Sequence, residues 1–444
     1  MFRIFASIAS YRDPELVPTI KNLVSQAASP EKLHVAVCWQ NNESTEIFLQ
    51  AGMKLINTSM LNDFELLEYK LNGARIDIIN VRYHRSQGAC WARNMAEKCY
   101  DNEAYFLQID SHCRFIESWD SEMIVLLTSL KEKSAKPVLS HYPTGYDPAN
   151  EEERLKIDQI SRIAFLKFND DSIPITFPVS YSSDTPVRSM YLAGGFIFAE
   201  GSFVKEVPND PQIFFCGEEI MMSARAFTHG YDIYTPHRIL LWHYYNRKNV
   251  KVWDDHNKEA KKNGQVEMIW WERNCLSNKR LRHFFDIKKD NNCELGIYAP
   301  GSVRSLLEFE YASGISFKKH AVQPEVISEE RINFFSTPPV NKEKWEERLV
   351  SPYQKKIIID KDKLLFSPEQ IEHWHVTVFN SRKHLIDELV FTAEELKQKF
   401  DSAVEGKVTL EIKFTTYPCY IPEIIRMIPC FPDSSWGEAV EIKW

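Results

Sequence analysis

Short apolar runs that each stop at a polar cluster, with amphipathic stretches between them, constrain this chain more than any other feature. The run over residues 2–9 ends at Ser10-Tyr11-Arg12-Asp13-Pro14, and an amphipathic stretch follows from Glu15 to Ala28. A second run, Leu33 to Trp39, stops at Gln40-Asn41-Asn42. A third, Ile76 to Tyr83, leads through His84-Arg85-Ser86-Gln87-Gly88 into a helical segment near 89–100, and a fourth, Ala104 to Ile109, ends in Asp110-Ser111-His112. Strands alternating with helices in this order predict crossover units, hence an α/β fold with a mainly parallel sheet. Ligands of such sheets gather beyond the carboxyl ends of the strands, where every one of these polar clusters falls.

The pattern changes along the chain. Between about Ser140 and Ser189 prolines and a Gly-Tyr-Asp-Pro turn signal predict an excursion over the active face, with a helix over 151–168. Order returns at Met190 to Phe198, then in a helix opened by Cys216-Gly217-Glu218-Glu219, then in strands near 231–234 and 239–243. Residues 251–335 read as a largely helical extension packed on the first domain, with Trp253, Trp270, Trp271, Phe284 and Phe285 as packing groups. After Pro338, Pro339 and Asn341, the runs Lys356 to Ile359, His373 to Phe379, Val408 to Phe414 and Glu438 to Trp444 alternate apolar and polar residues, the period of half-buried antiparallel strands. The expected domains are therefore 1–250, 251–335 and 336–444, the last a small antiparallel, sandwich-like β domain.

A chain of 444 residues is long enough for two to three cores, and a 44% hydrophobic, 26% charged composition gives no support to disorder or coiled coil. The formal net charge is −8, which argues against a nucleic-acid partner held through its phosphates. Any anionic ligand needs local help from arginine, histidine or a metal. The nine cysteines contain no CxxC pair, no window approaches the length of a membrane span, and no basic segment followed by an apolar signal core opens the chain. These features predict a soluble cytoplasmic protein.

The most informative triplet is Asp110-Ser111-His112. In an extended chain residues i and i+2 point the same way, so this carboxylate and imidazole converge and can share a metal. One oxygen and one nitrogen suit Mn²⁺ better than Ca²⁺ or Mg²⁺. His243, which ends the run Leu240-Leu241-Trp242, is the leading third ligand, ahead of His237 and His229; a solvated strand-end turn with bystander histidines is the plain alternative. Arg85, Gly88, Arg93 and Asn94 surround a helix start, where free N–H groups favour an anion, and with Arg12 they form a candidate diphosphate cradle or a set of surface ion pairs. Gly194-Gly195 either lets a sugar ring approach the backbone or marks a bulge. Glu218 and Glu219, in the first turn of a helix, are candidates for facing a sugar hydroxyl or for capping alone. Together these groups suggest a nucleotide-sugar glycosyltransferase, and no P-loop, nucleophile elbow, HExxH or GxGxxG pattern competes.

The stretches Ser7 to Leu16, Gly88 to Arg93, Tyr105 to His112 with Arg114-Phe115 and Trp119-Asp120, Ala193 to Phe196, Gly217-Glu218-Glu219, and Gly296 to Gly314 resemble the cytosolic polypeptide N-acetylglucosaminyltransferases that modify hydroxyproline on the Skp1 adaptor, and their bacterial relatives. The DxH, GG and late-His pattern is also similar to mucin-type polypeptide N-acetylgalactosaminyltransferases. The resemblance covers roughly residues 1–320. It departs at Ala89, where many relatives carry proline.

The resemblance implies a Rossmann-like GT-A catalytic domain, UDP-GlcNAc as donor, and retention of anomeric configuration. It implies a divalent metal, Mn²⁺ or another, on Asp110, His112 and His243, and a protein or glycan hydroxyl as acceptor. Ser10, Arg12, Arg85, Arg93, Asp110, Gly194 and Gly195 would contact the donor, and Arg93, Glu218 and Glu219 would serve the reaction. The C-terminal domain falls outside the resemblance and is a candidate for acceptor binding or homo-oligomer assembly. The competing expectation is a non-catalytic carbohydrate-binding protein, with Trp374, Tyr417 and Trp436 as stacking groups.

Overall fold

The strand Leu33–Gln40 is buried along its whole length, as a run without polar alternation requires when both faces of a sheet are covered. In the computed structural model, which describes residues 3–360, 370–401 and 407–444, it lies inside a ten-stranded sheet. Phe2, at the start of the first expected strand, lies outside the described residues.

The strands of the first two-thirds of the chain are β1 (Ile4–Tyr11), β2 (Leu33–Gln40), β3 (Lys54–Leu61), β4 (Phe64–Leu71), β5 (Ala74–Val81), β6 (Tyr105–Asp110), β7 (Cys113–Phe115), β8 (Pro137–Leu139), β9 (Thr144–Gly145), β10 (Ile160–Phe168), β11 (Pro174–Tyr181), β12 (Val187–Ser189), β13 (Phe196–Glu200), β14 (Asp232–Thr235) and β15 (Leu241–His243). The large sheet has the order β12-β14-β8-β13-β6-β1-β2-β5-β4-β3. Its centre, β6-β1-β2-β5, is parallel throughout, and β14, β8 and β3 run the same way, while β12, β13 and β4 run opposite. The α/β architecture with a mainly parallel sheet is thus the one observed. One apolar cluster, with Ile8, Val35, Ile78 and Trp119, covers one face. Another, with Phe5, Ala36, Ile79 and Phe106, covers the other. At about 1.5–3 kcal/mol per fully buried large apolar side chain, these two layers hold the strand ends in fixed register.

Two features differ from expectation. Residues 151–168 do not form a helix: a 3₁₀ segment over Pro148–Lys156 is followed by β10, which pairs antiparallel with β11. The apolar positions of Ile160, Ile163 and Ala164 fit helical spacing, but antiparallel pairing with the next strand, Pro174–Tyr181, satisfies the backbone instead. The ribbon β3-β4 adds two antiparallel strands at the sheet edge; all but one residue of β3 is exposed, Leu55, Ile56 and Met60 among them, and its apolar residues come in pairs without the alternation that marks a half-buried strand.

The chain divides into two units, residues 1–314 with 331–338, and residues 315–330 with 339–444. The second unit holds a two-stranded antiparallel pair, Ser351–Asp360 with Lys407–Thr416. It also holds a four-stranded antiparallel sheet in the order Leu385–Thr392, His373–Phe379, Ile424–Cys430, Val440–Lys443. Ile357, Trp374, Val376, Leu410, Ile425 and Met427 share its core. Trp374 is therefore a core residue and not a sugar-stacking surface, whereas Tyr417 and Trp436 are exposed. Among the described residues no helix is long and apolar enough to cross a membrane.

Candidate active site and metal centre

The carboxyl ends of β1, β2 and β6 open into a cleft lined by Tyr11, Gln40, Arg93, Asp110, His112 and Gly194, among others. β6 delivers Asp110 to its floor, and after Ser111 and His112 the chain enters β7. β15 pairs antiparallel with β7, with His243 opposite Cys113, so the imidazole of His243 arrives beside the Asp110-Ser111-His112 turn. The Nε2 atoms of His112 and His243 are 2.9 Å apart, and His243 Nε2 lies 3.1 Å from Asp110 Oδ2. One ligand atom from each of the three residues falls within 4.8 Å of the others. His229 and His237, the rival third ligands, belong to no such group among the described residues.

Asp13 prepares this triad. Its Oδ2 accepts from His112 Nδ1 at 2.8 Å, from the Ser111 hydroxyl at 2.8 Å and from Arg247 at 3.0 Å. With Nδ1 donating, His112 keeps the lone pair of Nε2 for the centre of the triad, the arrangement in which a carboxylate orients a metal-binding histidine. Burial pushes the His112 imidazole down to about 4 against the pull of Asp13, so it is neutral at physiological pH, the ligand form. Burial opposes charge on Asp110, but the hydrogen bond from His243 and the Arg93 guanidinium outweigh it and hold the carboxyl well below the usual range. An ionised carboxylate oxygen and two imidazole nitrogens, one in a fixed tautomer, are a donor set that fits a divalent transition metal.

Arg93 is the second centre. It sits in the helix Ala89–Glu97, whose preceding Gly88 has φ 115° and carries no Cβ because one would meet Phe214 O at 2.3 Å. Arg93 is almost fully buried and spans Glu218 Oε1 at 2.7 Å and Asp110 Oδ1 at 3.2 Å, so the guanidinium is held over the metal-donor group by two carboxylates. Glu219 faces the other way along the same helix start: Oε1 accepts the Gly194 N–H at 2.8 Å and Oε2 accepts the Tyr142 hydroxyl. Burial and the neighbouring Glu218 push the Glu219 carboxyl up to about 7. The two glycines are required by proximity: a Cβ on Gly194 would lie 2.6 Å from Glu218 Oε1, and one on Gly195 3.0 Å from Asp110 Oδ2.

Not every expected donor contact reaches the cleft. Arg12, in a left-handed conformation with φ 45°, gives its guanidinium to Asp255 at 2.8 Å and lies over the Tyr83 ring. Arg85 packs over Phe64 at 4.5 Å. The Ser10 hydroxyl is buried behind the cleft, and its carbonyl accepts from Gln40. Asn94 donates to the Asn209 carbonyl. The positive groups that do line the cleft are Arg93, Arg247 and Lys251. Arg247 and Lys251 carried no local signal, because neither ends an apolar run. Trp253 also lines the cleft, edge-to-face with Phe215, which is 49% exposed.

Comparison with known proteins adds three findings. A search of curated proteins gives no match. Among solved structures the chain is similar to GalNAc-T7 with UDP, GalNAc and Mn²⁺, with 14% identity and a TM-score of 0.40 over 70% of this chain and 54% of that one, so it spans about half of that chain. It is also similar to residues 1–349 of S. aureus TarS, with 8% identity and a TM-score of 0.34 over 64% of this chain and 72% of that one. The profile of the glycosyltransferase (GlcNAc) family matches residues 3–61 and 61–319, which include every residue of the cleft described above. The chain belongs to the glycosyltransferase (GlcNAc) family.

Proposed function

We propose that this glycosyltransferase is a metal-dependent, retaining GT-A enzyme that moves GlcNAc from UDP-GlcNAc to a hydroxyl of a protein or glycan, in the manner of polypeptide N-acetylglucosaminyltransferases. The observation that carries the reading is the convergence of Asp110, His112 and His243 beneath the buried guanidinium of Arg93. A divalent cation such as Mn²⁺ on those three residues would act as a Lewis acid toward the diphosphate leaving group.

The chain's own residues account for the rest. Arg93, Arg247 and Lys251 set positive charge along the cleft wall, where a diphosphate loses its water shell and needs compensation. Glu218 and Asp110 keep Arg93 in one rotamer, so little is lost in ordering it when the donor binds. Glu219 fixes the Gly194 backbone, and the absence of side chains at 194 and 195 lets Glu218, Arg93 and Asp110 pack directly against the chain at the cleft. Both glutamates are engaged by the protein, which favours front-face attack, with the departing phosphate taking the acceptor proton, over a covalent glycosyl-glutamate.

We assign catalysis to residues 1–250 with 251–335 as its helical extension, acceptor binding or self-association to 336–444, and the cytoplasm as the site of action. The test is release of UDP from UDP-GlcNAc with Mn²⁺ and no acceptor, followed by NMR of the transferred anomeric centre. Metal-dependent hydrolysis that disappears in His112→Ala supports the reading. Binding of glycans with no donor turnover would make the protein a carbohydrate-binding relative, and a glycosylated Glu218 or Glu219 in intact mass would replace front-face attack with double displacement.

A further inference from the structure

A second group of donor side chains lies in the C-terminal unit, where Glu372, His373 and Cys430 place one ligand atom each within 4.8 Å of one another. The sheet register brings them together. His373 and Cys430 are direct partners across two antiparallel strands, so their side chains leave the sheet on the same face. Glu372 is tied in by its backbone: its N–H donates to the Cys430 carbonyl at 2.8 Å, and its own carbonyl accepts from Ala393 at 3.2 Å. The turn after Cys430 is closed by Phe431 N–H to Ser435 O at 2.9 Å and Gly437 N–H to Pro429 O at 2.9 Å, which returns Trp436 over this face, 6.0 Å from the His373 ring. All three donors are thus held by backbone ladders rather than by each other.

The donors are also unused. Among the described residues neither the Glu372 carboxylate nor the His373 imidazole makes a hydrogen bond or an ion pair, Cys430 forms no disulfide, and its Sγ has only a 3.8 Å contact with the Phe431 carbonyl. Cys430 is 4% exposed. Glu372 is exposed and His373 half-buried, so both donors are open to an ion arriving from solvent, while the Cys430 thiol lies buried beside them.

We propose that Glu372, His373 and Cys430 form a zinc site, independent of the Asp110 centre in its chemistry. Thiolate, imidazole and carboxylate together select a borderline-soft ion, Zn²⁺ over Mn²⁺, Mg²⁺ or Ca²⁺. The two anionic ligands balance the charge of the ion. Three protein donors leave one position of a tetrahedral ion for water, and the bound ion joins the start of one strand to the end of its neighbour, pinning the end of the four-stranded sheet.

Cobalt distinguishes this site from the other, because Asp110, His112 and His243 contain no sulfur. Full-length protein stripped with a chelator and loaded with Co²⁺ should show a near-ultraviolet thiolate-to-cobalt charge-transfer band that Zn²⁺ displaces. The band should persist in Asp110→Ala, vanish in Cys430→Ser, and require higher Co²⁺ in His373→Ala and Glu372→Gln, with circular dichroism confirming that each variant folds. A folded wild type without the band, or a band unchanged in Cys430→Ser, overturns the proposal. If Cys430→Ser does not fold, the other two variants decide: unchanged cobalt affinity in both overturns it equally.

Discussion

His112 and His243 meet through their Nε2 atoms at 2.9 Å, and because His112 Nδ1 is committed to Asp13, the His112 nitrogen in that contact offers a lone pair. On the proposed metal reading, Asp13 would set metal affinity without being a ligand itself. Asp13→Asn keeps the shape but removes the charge that holds the ring, the serine and Arg247. Mn²⁺ affinity is expected to fall about 10- to 100-fold, the range for carboxylates behind metal-bound histidines. A titration of Mn²⁺ against activity measures it; an unchanged half-saturation would remove Asp13 from this role.

The ligands themselves give a sharper loss. Asp110→Ala and His112→Ala should abolish metal-dependent turnover; the melting temperature should stay close to wild type in Asp110→Ala, because that side chain is 26% exposed and belongs to neither apolar layer of the sheet, and should fall modestly in His112→Ala, where a buried partner of Asp13 is lost. Thermal unfolding monitored beside activity makes the comparison. A large drop in melting temperature with metal dependence retained would mark the triad as a structural hydrogen-bond cluster.

The Gly194 position is predicted to be intolerant. A Cβ there overlaps Glu218 Oε1 at 2.6 Å and Arg93 Nη1 at 2.9 Å, and both groups are locked against each other in the interior. Gly194→Ala should reduce kcat/KM by at least about ten-fold, about 1.4 kcal/mol of transition-state stabilisation, by displacing Arg93. Steady-state kinetics with UDP-GlcNAc reads the effect, and wild-type kinetics would show that Arg93 needs no fixed position.

An acid limb in the pH–rate profile is expected from Glu219. Burial and Glu218 place its carboxyl at about 7, and the hydrogen bond from Tyr142 works in the opposite direction, so removing that donor raises the value further. If the ionised form is what holds the Gly194 N–H, activity declines as pH falls through about 7. In Tyr142→Phe the decline should move to higher pH. A pH–rate profile that keeps its midpoint in Tyr142→Phe counts against Glu219 as the titrating group.

Stability has its own pH dependence, read at His141. Burial holds this imidazole at about 4, from an ordinary 6.5. The unfolded chain takes up the proton as pH drops through about 6.5 and the folded chain only near 4. Stability therefore falls across that window, by about 3 kcal/mol for this residue, and the loss levels off below it. Urea unfolding between pH 7 and pH 4 should show a shallower slope in His141→Leu than in wild type, and identical slopes would assign the acid sensitivity elsewhere.

Local sequence made part of the candidate site visible. Asp110 and His112 stand two apart at the end of an apolar strand, and His243 ends another, so their residue types and strand positions announced them. Arg12 and Arg85 carried the same kind of signal, yet neither lines the cleft, because the partner that takes Arg12, Asp255, is 243 residues away and Arg85 finds the Phe64 ring. Asp13 stood in a loop already singled out, but its role depends on facing an imidazole 99 residues on. Tyr142, Arg247 and Lys251 lie in irregular segments, where no periodicity separates a site residue from a solvated one.

By itself the sequence determined the alternation of strand and helix, the parallel centre of the sheet, and the edge at which chemistry would collect, because apolar periodicity and strand-end polarity are local properties. The tertiary structure alone decided which charges face one another: that Arg93 is shared between Glu218 and Asp110, that Glu219 turns to Gly194, and that His243 crosses 131 residues to meet His112. Those pairings depend on strand order and register, and electrostatic partners in a folded chain are set by distances of a few ångströms that no spacing along the sequence encodes.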